Sequence, residues 1–264
     1  MICQKLVTGN GLIKRTSPRH IALGFKFLCW NSKGENMYKV KYLGHSGFVV
    51  ETENHLIIFD YVKKNIDPTF GLRNEIVQTE FNIKGVNKDV IFLNSHDHFD
   101  HYNKNINKFY SKFEKAYTVV GDIETNLPNT KSMKGRDYFY VKGAKIYSAY
   151  STDEGVCFVV DVDGVKMYFA GDNIDWGDPI SHEKYYREIN YLAEKIVNVD
   201  IAFVPVCNFY GEMSKSIVES AIFVCEKLKA KEIYPMHSPF GKNIYKQFEL
   251  VAKKLNCSSQ VVIL

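Results

Sequence analysis

Six consecutive residues, His96-Asp97-His98-Phe99-Asp100-His101, hold three of the eight histidines in this 264-residue chain. Imidazole and carboxylate are first-rank ligands for zinc, iron, manganese or nickel. The run carries five such side chains, on a loop whose backbone curvature turns some of them inward. The competing reading is a polar surface turn. It is the weaker one because the cluster follows directly on Val90–Asn94, an apolar run of the kind that forms a buried strand. The expected chemistry is metal binding at the C-terminal end of a strand.

The flanking sequence supplies the elements that must hold such a loop. From Tyr38 the chain alternates short β-rich runs with turn residues: Lys39–Leu43, Gly47–Glu51 and His55–Asp60 read as an antiparallel meander. Lys104–Glu114 has helical composition, and Tyr117–Val120 is a further strand. A second meander runs through Lys145–Tyr150, Val156–Val162 and Lys166–Ala170. The remainder alternates helix and strand through Glu183–Asn198, Ile201–Val206, Ser214–Ala230, Glu232–Pro235, Lys242–Leu255 and Gln260–Leu264. Two β-rich halves, each followed by helices, predict an α/β fold: a four-layered αββα sandwich forming one domain over residues 37–264. Residues 1–36 show no sustained periodicity and are set apart as a leader, either a basic arm or weak targeting peptide or, the preferred reading, an over-extended start ahead of Met37.

His96, His98, Asp100 and His101 match the HxHxDH signature of the metallo-β-lactamase superfamily, and the resemblance extends over residues 38–264. The resemblance implies two divalent metal ions, zinc first and manganese or iron as alternatives. One would be held by His96 and His98 with a third ligand, the other by Asp100, His101 and His237, with Asp172 of Ala170-Gly171-Asp172 between them. Asp60 would orient the histidine loop, and Asp100 would also orient the nucleophile or carry a proton. A hydroxide held between two cations attacks a small ester, lactone or phosphodiester substrate in such a site. The sequence departs from the family pattern at the third ligand: Tyr150-Ser151-Thr152-Asp153-Glu154-Gly155 contains no histidine. Asp153 is the candidate replacement, against a plain turn and a weak first site. His45, in Leu43-Gly44-His45-Ser46-Gly47, resembles the "GH" turn of a short branch that includes sugar-phosphate lactonases. It is a catalytic candidate that touches substrate or supports a ligand, or else a hydrogen-bonded turn histidine. The alternative to an enzyme is a non-catalytic metal- or ligand-sensing module on the same scaffold.

Composition narrows the setting. The net charge of +4 comes from residues 1–36, where six basic residues face Glu35, so the rest of the chain stands at −1. A near-neutral body lacks the basic stripe that nucleic acid requires. Six cysteines without CxxC pairs indicate a reducing compartment, and no stretch approaches the roughly 20 apolar residues of a membrane helix. The expectation is a cytoplasmic protein with a small-molecule substrate and neither nucleic acid nor membrane as partner. His20, His55 and His182 are expected at the surface, Trp176 and Asn208-Phe209-Tyr210 at the pocket mouth, and Ser238 as the cap of a helix whose first turns carry Lys242.

Overall fold

The structure is a computed structural model that describes residues 38–66, 75–208, 210–238 and 241–264. The leader, with His20, Cys3 and Cys29, lies outside the described residues, as does Phe209.

Two sheets face each other. The first has the order β1-β2-β3-β6-β7-β8, from Lys39–Gly44, Gly47–Glu51, His55–Phe59, Asp89–Asn94, Ala116–Gly121 and Thr130–Met133. Its first three strands form the antiparallel meander, and β3, β6, β7 and β8 then run parallel. The second has the order β15-β14-β13-β12-β11-β10-β9, from Gln260–Val261, Glu232–Met236, Ile201–Pro205, Val165–Phe169, Val156–Val162, Ala144–Tyr150 and Tyr138–Val141. A two-stranded arm, β4 (Lys64–Ile66) with β5 (Glu75–Val77), stands beside the first sheet.

The two-residue alternation of strand side chains sorts the core into layers. In β3 and β6, Ile57, Phe59, Ile91 and Leu93 enter the cluster between the sheets, while Leu56, Ile58, Val90 and Phe92 pack outward with Tyr110 and Ile106 of α1 (Lys104–Tyr110). Phe59 stacks on Phe169 at 4.6 Å and Phe48 meets Phe203 at 4.4 Å, so aromatic pairs bridge the two sheets. Strands β13 and β14 are buried along their whole length because α3 (Lys215–Lys227) and α4 (Lys242–Lys254) cover their outer face, while α2 (Pro179–Lys195) lies on β10 beside α3. This is the four-layered αββα sandwich.

Several boundaries differ from the sequence reading. Helix α1 ends at Tyr110, four residues earlier than expected, and α2 starts at Pro179, not Glu183. The start signal is Asp178-Pro179: Asp178 accepts from the amides of Ile180 and Ser181, and proline occupies the first turn. Strands β4, β5, β8 and β9 were not anticipated. Strands β4, β5 and β8 are short and carry polar residues, so their hydrophobic pattern is weak; β9 is strand-prone but only four residues long, with Tyr138 and Tyr140 exposed on the sheet edge.

Candidate metal centre

The candidate residues all sit where strands end. His45 lies in the β1–β2 turn, Asp60 follows β3, His96 to His101 follow β6, Asp153 lies between β10 and β11, Asp172 follows β12, and His237 follows β14. His45, Asp60 and His237 have φ of 51°, 41° and 66°. Left-handed backbone at three non-glycine residues is uncommon and is kept only where the surroundings over-determine it. Here it turns each chain sharply as it leaves its strand. Close approach is made possible by glycines: a Cβ on Gly121, Gly155 or Gly171 would lie 2.0, 2.2 or 2.6 Å from atoms of Ser95. The Ser95-His96 backbone is thus packed against chain that can carry no side chain there.

Two groups of ligand atoms result. The deeper one joins His45, Asp100, His101 and His237, all buried, with ligand atoms within 4.8 Å of one another. Asp100 Oδ2 is 2.9 Å from His45 Nε2, 3.5 Å from His101 Nε2 and 3.6 Å from His237 Nε2. The second group joins His96, His98, Asp153 and Asp172, with His98 and Asp153 partly exposed. His96 Nε2 and His98 Nδ1 are 2.9 Å apart, and Asp153 Oδ2 is 3.9 Å from His98 Nδ1. Asp172 faces both groups: Oδ1 is 3.1 Å from His101 Nε2 and 3.2 Å from His237 Nε2, and Oδ2 is 3.7 Å from His96 Nε2.

Supporting hydrogen bonds set which nitrogen of each ring faces inward. Asp60 accepts the Ser95 amide on Oδ1 and the Ser95 hydroxyl on Oδ2, each at 2.8 Å, and sits 2.5 Å from His101 Nδ1. His101 therefore donates from Nδ1 and turns Nε2 to the centre. Ser95 has spent its proton on Asp60, so its Oγ accepts from His96 Nδ1 at 2.9 Å, and the lone pair of His96 Nε2 faces the centre.

The donor set fits metal ions. His101 Nε2, His237 Nε2 and Asp172 Oδ1 are buried and converge, yet none has a hydrogen-bond partner. A buried polar atom left unpaired costs about 1–3 kcal/mol, and a cation would satisfy all three at once. Electrostatics point the same way. Burial presses His101 toward its neutral form, but Asp172, Asp100 and Asp60 outweigh it and hold the ring well above its usual range. Burial likewise opposes protonation of His237, and Asp172 and Asp100 raise it to about 9. Asp100 and Asp172 are held well below the carboxylate range: burial pushes them up, and His101 and His237 outweigh it. Burial, with a neighbouring histidine adding to it, lowers His45 to about 4 and His96 to about 3. The centre thus holds ionised carboxylates beside two neutral imidazoles, His45 and His96, while His101 and His237 keep protons that a bound cation would displace.

Other expectations fare differently. His55 is buried at 5% exposure, not at the surface; its Nδ1 is 2.9 Å from Asp163 Oδ2. Ser238 does not cap α4: the cap position is Gly241, and the Ser238 hydroxyl donates to the Gly241 carbonyl at 3.2 Å. Trp176 and Tyr210 are exposed, and His182 is exposed with its Nδ1 2.7 Å from buried Asp175. Sequence reasoning missed Ser95, which precedes the histidine cluster, and Gln78, which lies outside every motif and carries no local signal of its role.

Comparison with known proteins fits this arrangement. A family model described as a beta-lactamase superfamily domain matches residues 39–237. A metal-dependent hydrolase of Thermococcus onnurineus is 23% identical over 243 residues, covering 86% of this chain and 96% of that one. One from Bacillus mycoides is 28% identical over 249 residues, with the same coverage. Among solved structures, a metallo hydrolase of Ignicoccus hospitalis superposes with a TM-score of 0.58 at 17% identity, over 86% of this chain and 94% of the other. The metallo-beta-lactamase fold protein YhfI of Bacillus subtilis gives 0.53 at 14% identity, over 87% and 97%. With its two facing sheets, its HxHxDH loop at a strand end and a family match over most of its length, the chain belongs to the metallo-β-lactamase superfamily.

Proposed function

We propose that this protein is a dinuclear metal-dependent hydrolase acting on a small ester, lactone or phosphodiester substrate. The observation that carries the reading is Asp172, whose two carboxylate oxygens face two separate groups of ligand atoms across a cluster of buried, unpaired nitrogen atoms. The names of the Thermococcus and Bacillus relatives support hydrolysis.

In this reading His96, His98 and Asp153 would hold one ion and His45, Asp100, His101 and His237 would hold the other, with Asp172 facing both groups. Bound divalent ions supply Lewis acidity and make water a nucleophile near neutral pH. The chain supplies geometry. Asp60 and Ser95 fix the rings of His101 and His96, so that the inward nitrogens need no reorientation during reaction. Asp100 Oδ2, bonded to His45 Nε2 at 2.9 Å, is placed to accept a proton within the centre and return it to a leaving group. Because both metal groups are built from loops at strand ends, the core need not move.

The near-neutral body and the absence, among the described residues, of any helix long and apolar enough to cross a membrane are compatible with a small-molecule substrate in the cytoplasm. The test is a screen of phosphodiesters, lactones, carboxylic esters and thioesters with wild type and with the His96→Ala/His98→Ala double variant. Wild type should turn over one class, with activity removed by chelation and restored by metal. The double variant should keep its circular dichroism and lose turnover. Turnover retained in the metal-depleted double variant would remove the hydrolytic reading.

A further inference from the structure

Gln78 follows β5, is 4% exposed, and uses its whole hydrogen-bonding capacity on main chain around the centre. Its Oε1 accepts from the amides of Val62 at 2.8 Å and Lys63 at 3.2 Å, and its Nε2 donates to the carbonyls of Asp60 at 2.9 Å and Gly44 at 3.3 Å. A primary amide offers two donors and two acceptor lone pairs, so none is left over. Two amides face Oε1 and two carbonyls face Nε2, which also fixes the orientation of the group.

The segments tied together are those that leave the regular sheet. Gly44, His45, Asp60 and Lys63 have φ of 129°, 51°, 41° and 57°, and main chain in such a conformation cannot continue the sheet's hydrogen-bond ladder. The Gln78 amide takes the place of the missing strand partner. Its own backbone extends the tie, with the Gln78 amide on the Lys63 carbonyl at 2.7 Å and the Thr79 amide on the Leu43 carbonyl at 2.8 Å. Each end of the bridge leads to the deeper ligand group: Gly44 precedes His45, and Asp60 holds His101 by its Nδ1. The sequence makes room for the bridge at Gly47, where a Cβ would lie 2.3 Å from Gln78 Nε2 and 2.8 Å from its Cδ. Gly47 has no left-handed φ, so the reason for glycine there is space, and what fills the space is this amide.

We propose that Gln78 is a positioning residue for the deeper metal group: its side-chain amide sets the spacing between His45 and His101 by pinning the Gly44 and Asp60 carbonyls, and Gly47 is the clearance that admits it. The inference rests on the metal-binding reading of that group, but part of its test does not. The variants are Gln78→Met, close in size and without the four hydrogen bonds; Gly47→Ala, which leaves Gln78 in place but crowds it; and Gly47→Ala combined with Gln78→Ala, which vacates the contested space. In metal-free, full-length protein, the low-field proton resonance of the His101 Nδ1–H bonded to Asp60 reports ring placement by NMR. In a zinc titration against a chromogenic chelator, the two equivalents report the two groups separately.

Either single variant should shift that resonance and weaken one equivalent by roughly 10–100-fold, the usual effect of losing a group that supports a ligand. The other equivalent should hold within about twofold. Adding Gly47→Ala to Gln78→Ala should cost much less than Gly47→Ala alone, since the shortened side chain no longer meets the added methyl. An unchanged resonance and two unchanged equivalents, with only a lowered melting temperature, would overturn the proposal and reduce Gln78 to a structural tie. Additive effects of the two substitutions would overturn the role given to Gly47. Should wild type bind no zinc, the metal reading fails, and the resonance still decides whether Gln78 places His101. If Gln78→Met does not fold, Gly47→Ala carries the same comparison.

Discussion

Asp153 decides whether the centre is symmetric. The deeper group has three imidazoles and Asp100, whereas the outer group has two imidazoles with Asp153 and Asp172. Replacing an imidazole by a carboxylate moves a site toward harder cations, and Asp153, its carboxyl raised by burial and by the adjacent Asp172, is poised to gain from a cation nearby. Asp153→Ala should weaken one metal equivalent by more than the roughly 10–100-fold that loss of a supporting group costs, and leave the His45/Asp100/His101/His237 equivalent filled. Asp153→His should restore binding and favour zinc over manganese. Calorimetric titration of the three proteins with each metal checks this, and equal affinities for wild type and Asp153→Ala would remove Asp153 from the ligand set.

At the scale of elements, the centre depends on how tightly loops from different strands approach one another. Gly155 has φ of 64°, and a Cβ there would lie 2.2 Å from the Ser95 carbonyl oxygen and 2.6 Å from His96 Cβ. Gly155→Ala therefore carries a left-handed backbone penalty of about 1–2 kcal/mol and also displaces His96. The control is Gly85→Ala, with φ of 80° and no atom within 4 Å of the added Cβ, which should incur only the backbone penalty. Thermal melts with zinc titration should show both variants destabilised and only Gly155→Ala impaired at the His96/His98 group. Much of this architecture was legible in the sequence. Continuous apolar runs mark β3 and β6 as buried strands, and the run into His96 places the loop at a strand end. Contacts between elements distant in sequence were not legible. The polar edge strand β8 is stabilised by pairing and not by its own pattern, whereas the short edge strand β9 carries strand-prone residues, Tyr138–Val141. His55 reads as one more polar residue until the turn carrying Asp163, more than a hundred positions away, closes over it. Gln78 has meaning only once the left-handed turns it bridges exist.

The whole molecule is two sheets that must stay in register for ligands from both to meet. One clamp between them lies at the β2–β3 turn. Asp163, in the β11–β12 turn, accepts from the Thr52 hydroxyl at 2.6 Å and the Asn54 amide at 2.7 Å, and its Oδ2 lies 2.9 Å from His55 Nδ1. Burial opposes its ionisation, but these hydrogen bonds outweigh it and hold the carboxyl below its usual range. A carboxyl with a depressed folded-state value contributes stability that is complete above about pH 4 and is lost as pH falls through the folded value. Asp163→Ala should therefore destabilise the fold at neutral pH by about 1.5–3 kcal/mol. The deficit should narrow only below about pH 4, as followed by urea unfolding across a pH series. In the proposed function the two sheets together present two metal sites serving one hydrolytic reaction. The most direct measurement is elemental analysis of the chelated protein during stepwise zinc addition, read beside turnover of the best substrate from the screen. Two sites serving one reaction should saturate at two ions per chain, with turnover appearing as the second site fills. Saturation at one ion or none, or full turnover by the chelated protein, would contradict it.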